Sequence, residues 1–250
     1  MTLTSTKSPE LDVDDLDLIE VTEPELDAPA EPADEVVDEE PAQEHKPPAA
    51  STVPILLVCT GNVGRSPYME LMLRKLLGDA GLDQLQVASA GTNAVPNMSV
   101  HRLVAEELAR RGIDATEFRT QPLTRELVAA SSLIITASRS HRDQAGRLVP
   151  AKRDRMFTLL QLQRLIAAGL QPGPAGEDAP TPVELLVAQA NANRGRAGVS
   201  GRRDDVPDPM GGGTRAFQSM FDLIDQPLTT LASTLLELDR RSHRGETSNA

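Results

Sequence analysis

The chain is poor in the residues that staple small proteins or give them ring-stacking surfaces. Among 250 residues it has one cysteine, no tryptophan, one tyrosine and four phenylalanines. A single cysteine excludes an internal disulfide, which fits a reducing compartment. Four scattered histidines form no cluster that would hold a metal, so neither metal nor cofactor is expected. No apolar run is long enough to span a bilayer, and no charged-then-apolar leader is present. The expectation is a cytoplasmic protein without a membrane span.

Basic charge is also scarce, but unevenly so. Residues 1–50 contain 16 Asp and Glu against Lys7 and Lys46, a net of −14; the rest has 37 − 16 = 21 acidic and 25 − 2 = 23 basic residues, a net of +2. A near-neutral body argues against general nucleic-acid binding and suits a domain whose ligand is a small anion. The stretch 1–52 is acidic, proline-rich and without aromatics, so it is expected to stay disordered. The domain proper is expected over 53–240, with 241–250 a disordered end.

What the chain does have is concentrated around its one thiol. Cys59 ends the apolar run ILLVC, and the sequence continues TGNVGRSP into a helical pattern. A strand that delivers a thiol to a loop at a helix N-terminus makes an anion site with a nucleophile at its base. Loop amides and the helix dipole attract phosphate, and such a setting favours a thiolate. Five residues separate Cys59 from Arg65, room for one tight loop formed by Thr60, Gly61, Asn62, Val63 and Gly64. Gly61 and Gly64 are expected to supply unusual backbone angles, with Asn62 the next most tolerant residue. Arg65 offers a planar fork for two phosphate oxygens. Ser66 is expected as the helix N-cap and as a donor to the sulfur, with Pro67 in the first helical position.

Displacement of a phosphoryl group by a thiolate needs an acid for the leaving oxygen. Asp208 sits between Pro207 and Pro209, ahead of three glycines. Taken alone, that pattern equally describes an exposed turn.

CTGNVGRSP resembles the signature loop of the low-molecular-weight protein-tyrosine phosphatases. SAGT at 89–92, LIITASRSHRD from Leu133 and DVPDPMGG from Asp205 fall where that family has corresponding segments. The resemblance covers roughly 53–238. It implies a three-layer α/β sandwich with a central four-stranded parallel sheet, flavodoxin-like, its phosphate loop after the first strand. It implies that Cys59 is the nucleophile, Arg65 the phosphate clamp and Asp208 the general acid. Residues Thr60 to Ser66 would bind phosphate, with Asn62, Ser66 and Ser89 supporting. The implied reaction is hydrolysis of phosphotyrosine or a related aryl phosphate through a cysteinyl-phosphate. The implied partner is a tyrosine-phosphorylated protein or a bacterial tyrosine kinase. Arsenate reduction with an external thiol and a non-catalytic phosphate-binding module are the alternatives on the same scaffold. The chain departs from many members in having Gly64 where a second cysteine stands, Phe118 near the place of a bracing histidine, and Met210-Gly211-Gly212 where aromatics follow the acid.

Alternating patterns predict strands at 55–58, 85–89, 133–137 and 156–159. Helices are expected at 66–77, 100–111, 124–130, 139–147, 183–192 and 214–238. That order calls for a parallel sheet with helices on both faces, and ligands bind such sheets beyond the carboxyl ends of the strands, where Cys59 lies. Residues 164–204 exceed what the resemblance requires and read mainly as a flexible segment. Arg194, Arg196, Arg202 and Arg203 are candidates to rim the site but more readily a solvated loop. His101 and His141 read as surface or satisfied core residues.

Overall fold

A computed structural model of the protein describes residues 55–171, 180–196 and 201–244. The expected tail at 1–52 and the end at 245–250 lie outside the described residues. Four strands form one sheet in the order β2-β1-β3-β4, all parallel: β1 (Ile55–Cys59), β2 (Val87–Gly91), β3 (Leu133–Thr136) and β4 (Met156–Thr158). Every residue of β1 is buried, as a central parallel strand covered on both faces must be. Its alternating side chains serve two cores. Ile55, Leu57 and Cys59 face the larger, built with α1 (Arg65–Asp79), α2 (Arg102–Arg110), α5 (Leu159–Ala167), α6 (Pro182–Asn193) and α7 (Gly213–Arg244). Leu56 and Val58 face the smaller, where α3 (Arg125–Ala130) adds Val128 and α4 (Arg139–Leu148) adds Ala145. This is the three-layer α/β sandwich expected, with a loop following the first strand.

The elements differ from expectation in four places. β2 begins two residues late, because the Leu85 amide closes a turn on the Leu82 carbonyl at 3.0 Å; the strand then runs on until Gly91 stands opposite Cys59. The last strand stops at Thr158, whose hydroxyl accepts from the Gln161 amide at 3.2 Å and so caps α5, a helix the apolar run concealed. Leu159, Leu162 and Leu165 bury one face of it. α1 starts at Arg65, with Gly64 and not Ser66 at its N-cap, so Pro67 falls inside the first turn. α7 continues to Arg244 with Pro227 in its interior, and so takes in 241–244, which were expected to be disordered.

Within 164–204, the helix expected at 183–192 is α6. Its start carries a capping box in which the Thr181 hydroxyl accepts from the Glu184 amide at 3.3 Å and the Thr181 amide donates to the Glu184 carboxylate at 3.0 Å. Buried Asn193 donates to the carbonyls of Leu165 (3.0 Å) and Gly169 (2.8 Å), tying the end of α6 to the end of α5. No helix among the described residues is long and apolar enough to cross a membrane.

Candidate active site

The loop from Cys59 to Ser66 lies at the carboxyl end of β1. Its carbonyls are held on the outside: Cys59 O accepts from the Thr92 amide (2.9 Å), Thr60 O from Asn93 (2.9 Å), Val63 O from His101 (2.8 Å) and Gly64 O from Tyr68 (3.1 Å). With these four carbonyls engaged by other segments, the amides are the groups the loop can offer an anion. The left-handed angle in the loop belongs to Asn62 (φ 55°) and to neither glycine. A Cβ on Gly64 would meet nothing within 4 Å, and one on Gly61 only an ordinary contact at 3.6 Å. Beneath the loop, Gly91 on β2 has no spare room: a Cβ there would lie 2.5 Å from the Thr60 carbonyl oxygen and 2.9 Å from the Asn62 nitrogen.

Asn62 is fully buried and organises the loop. Its amide donates to Ser66 Oγ (2.9 Å) and Ser89 Oγ (2.7 Å), and its carbonyl accepts from the Gln121 backbone amide (2.9 Å). The Gln121 side chain also donates to the Ser89 carbonyl (2.9 Å). Gln121 thus braces Asn62, while Phe118, near where the resemblance puts a bracing histidine, packs against the core. Ser89 in turn hydrogen-bonds through its amide and hydroxyl to Glu70, a buried carboxylate paired with Arg74 at 2.7 Å. Burial raises the pKa of Glu70 above the ordinary carboxylate value against the opposing pull of Arg74.

Ser66 Oγ lies 2.9 Å from Cys59 Sγ. Asn62 Nδ2 can only donate, so Ser66 accepts there, which leaves its one proton for Cys59 Sγ or for the Ala90 carbonyl at 3.4 Å. Cys59 itself is buried.

Arg65 and Asp208, 143 positions apart, meet over this loop, with Nη2 2.6 Å from Asp208 Oδ2. Nη2 also donates to Thr60 Oγ1 (3.2 Å), and Nη1 donates to the Val206 carbonyl (3.2 Å). The segment that carries Asp208 is pinned at its base. The Val206 amide donates to Ala137 O (2.7 Å) beyond β3, Asp205 accepts from the Arg139 amide (2.8 Å) and pairs with its guanidinium (3.1 Å), and Asp204 pairs with Arg164 (3.0 Å). Of these three carboxylates, Asp208 is the one against Arg65, and its side chain is half exposed.

His141 belongs to this constellation rather than to the surface or an ordinary core. Its Nε2 is 2.9 Å from Thr60 Oγ1 and its Nδ1 is 2.8 Å from Ser138 Oγ. Burial, then the charge of Arg65, lowers its pKa to about 4, with Asp208 and Asp205 pulling the other way. The ring is therefore neutral near pH 7. Its place in the first turn after β3, at the carboxyl edge of the sheet, was the one available signal. Arg194 is committed elsewhere: it lies 4.4 Å over the Phe157 ring and donates to Met156 O at 3.0 Å. Arg196 and Arg203 are exposed.

A hydrogen-bonded thiol at the base of a loop of amides, with the Arg65 guanidinium and the Asp208 side chain beside it, is an arrangement suited to holding a phosphoryl group next to a nucleophile. Residues 54–168 match the family model described as low molecular weight phosphotyrosine protein phosphatase. A probable low molecular weight protein-tyrosine-phosphatase, EpsP of Ralstonia nicotianae, is 33% identical over 110 residues, which are 44% of this chain and 72% of that protein. The protein-arginine-phosphatase of Bacillus subtilis is 27% identical over 187 residues, 75% of this chain and 99% of its own length. A solved mutant of YwlE from Bacillus subtilis superposes with a TM-score of 0.54 at 26% identity, covering 73% of this chain and 98% of that one. The chain belongs to the low molecular weight protein-tyrosine-phosphatase family.

Proposed function

We propose that the protein hydrolyses the phosphoryl group of phosphotyrosine, or a related aryl phosphate, through a cysteinyl-phosphate on Cys59. In this reading the amides of Thr60 to Ser66 and the Arg65 fork hold the three phosphoryl oxygens. Cys59 Sγ attacks phosphorus while the Ser66 hydroxyl steadies the thiolate. Asp208 gives a proton to the departing oxygen, and as a carboxylate it then takes one from the water that cleaves the S–P bond. Asn62 and Ser89 keep the cradle in shape. The observation that carries the reading is the 2.6 Å approach of Asp208 to Arg65 above the thiol-bearing loop, which brings acid and anion clamp together from opposite ends of the domain. The partner called for is a tyrosine-phosphorylated cytoplasmic protein, a bacterial tyrosine kinase among them. Purified wild type should release p-nitrophenol from p-nitrophenyl phosphate, and Cys59→Ser should not; turnover by the serine variant would refute the mechanism.

A second reading, phosphoarginine as substrate, draws support from two observations. The residues after Asp208-Pro209 are Met210, Gly211 and Gly212, which offer no ring to stack on a phosphotyrosine, and Met210 is exposed. The relative matched over nearly its whole length bears the name protein-arginine-phosphatase. Values of kcat/KM for one peptide carrying either phosphotyrosine or phosphoarginine separate the two readings.

A further inference from the structure

We propose that His141 is a positioning residue for the phosphate clamp, fixing the Thr60 hydroxyl and through it the orientation of the Arg65 guanidinium. The proposal rests on the reading of Arg65 as that clamp. Arg65 has three polar partners beside the loop: Asp208, Val206 O and Thr60 Oγ1. A phosphoryl group that binds Arg65 displaces Asp208, because both anions need the same Nη2 face. Only Val206 and Thr60 then hold the guanidinium in plane.

These two remaining restraints are secured differently. Val206 is tied by its own amide to Ala137 O at 2.7 Å, at the end of a core strand. Thr60 is an exposed residue whose side chain would be free to turn between rotamers. His141 Nε2, 2.9 Å away, removes that freedom. The imidazole is itself only 5% exposed and is held from behind by Ser138, the N-cap of α4, at 2.8 Å. His141 therefore does for Thr60 what Ala137 does for Val206.

The chemistry of the ring suits this task. Hydroxyls on both sides can donate or accept, so a neutral imidazole is satisfied in either tautomer. A cationic ring would repel Arg65 and offer the phosphoryl group a rival partner. The charged groups that act on the ring are Arg65, Asp208 and Asp205; burial and Arg65 keep it neutral.

The test is a double-mutant cycle read in kcat/KM for p-nitrophenyl phosphate and in the inhibition constant of inorganic phosphate. It uses the full chain as wild type, Thr60→Val, His141→Ala, both together, His141→Gln and Arg65→Ala. Thr60 is exposed, so Thr60→Val leaves the core intact. Each single change should cost roughly tenfold in both quantities, and the double variant should be no worse than either, because the two residues act through one hydrogen bond. His141→Gln, whose amide reaches toward the Thr60 hydroxyl, should recover most of the loss; a ring that served stability alone would show no such coupling. With Arg65→Ala inactive, losses that multiply in the double variant, or a His141→Ala enzyme kinetically equal to wild type, would overturn this proposal alone. Wild-type turnover by Arg65→Ala would instead overturn the clamp reading on which it stands.

Discussion

The phosphate loop and the acid segment are built in opposite ways. In the loop, Asn62 makes three hydrogen bonds from a fully buried position, four carbonyls are tied outward, and Gly91 leaves no slack beneath. In the acid segment, the base is pinned by Asp204, Asp205 and Val206, but the tip is half exposed and its shortest bond is to Arg65, the cation proposed to hold the phosphoryl group. On the proposed mechanism, the difference separates a cradle that needs to be preorganised from an acid that needs to move. Without ligand, the Asp208 carboxylate occupies the place on Arg65 that a phosphoryl oxygen would take.

The largest expected effect comes from breaking the cradle's one cation. Arg65→Ala should lower kcat/KM by on the order of 10³ or more and abolish competitive inhibition by phosphate, since an arginine on a transferring phosphoryl group contributes about that much. Cys59→Ser should abolish turnover while still binding phosphate, as judged by calorimetry.

Breaking the acid side should split binding from rate. Asp208→Asn should lose about 10² to 10⁴ in kcat on a poor leaving group and less on an activated one. The same variant should bind inorganic phosphate several-fold more tightly at neutral pH, because the competing carboxylate is gone. Unchanged or weaker phosphate binding would mean that the Arg65–Asp208 contact does not oppose the ligand. Asp204→Asn and Asp205→Asn should cost less in kcat, because those carboxylates anchor the segment and do not reach Arg65.

The two glycines next in line sharpen the contrast within the cradle. Gly91→Ala forces the Thr60 carbonyl aside and should cost about 1–3 kcal/mol in stability, with a matching fall in activity. Gly64→Ala places its methyl in open space and should be far milder. Equal effects would show that the loop is softer than its hydrogen bonds imply.

How much of this was readable follows from how local each feature is. The Cys59 to Ser66 loop was legible because strand, loop and helix start are contiguous. Strands β1 and β3 were legible because ILLVC is apolar throughout and LIIT is apolar up to Thr136, as buried parallel strands are. Ser66 was misplaced as N-cap because helical geometry begins one residue before it, at Arg65. α5 was hidden because Met156, Phe157 and the leucines after them form one apolar run in which the change from strand to helix at Thr158 leaves no break. His141, Gln121 and Gly91 reach the loop only through tertiary structure; SAGT and LIITASRSHRD marked the neighbourhoods of Gly91 and His141 but not their contacts, and nothing beside Gln121 marked it at all. Of the carboxylates at 204, 205 and 208, only Asp208 was set apart in sequence, by its flanking prolines; the partners Arg164, Arg139 and Arg65 distinguish all three.

A smaller, pH-dependent effect attaches to His141. Its folded-state pKa of about 4 lies below the ordinary 6.5, so between those values the unfolded chain binds more protons. The neutral ring's contribution is present above pH 6.5 and is lost as pH falls toward 4. It amounts to at most about 3 kcal/mol at roughly 1.4 kcal/mol per pKa unit. Urea midpoints of wild type and His141→Gln should therefore converge or cross as pH drops through that window; a parallel pair of curves would assign the acid sensitivity to other groups.

On the proposed mechanism Cys59 carries the phosphoryl group during turnover. Acid-quenched wild type caught during hydrolysis of p-nitrophenyl phosphate should show a phosphoryl adduct by peptide mass spectrometry on the fragment containing Cys59. A phosphoryl group found on a fragment lacking Cys59, or steady hydrolysis by the serine variant, would contradict it.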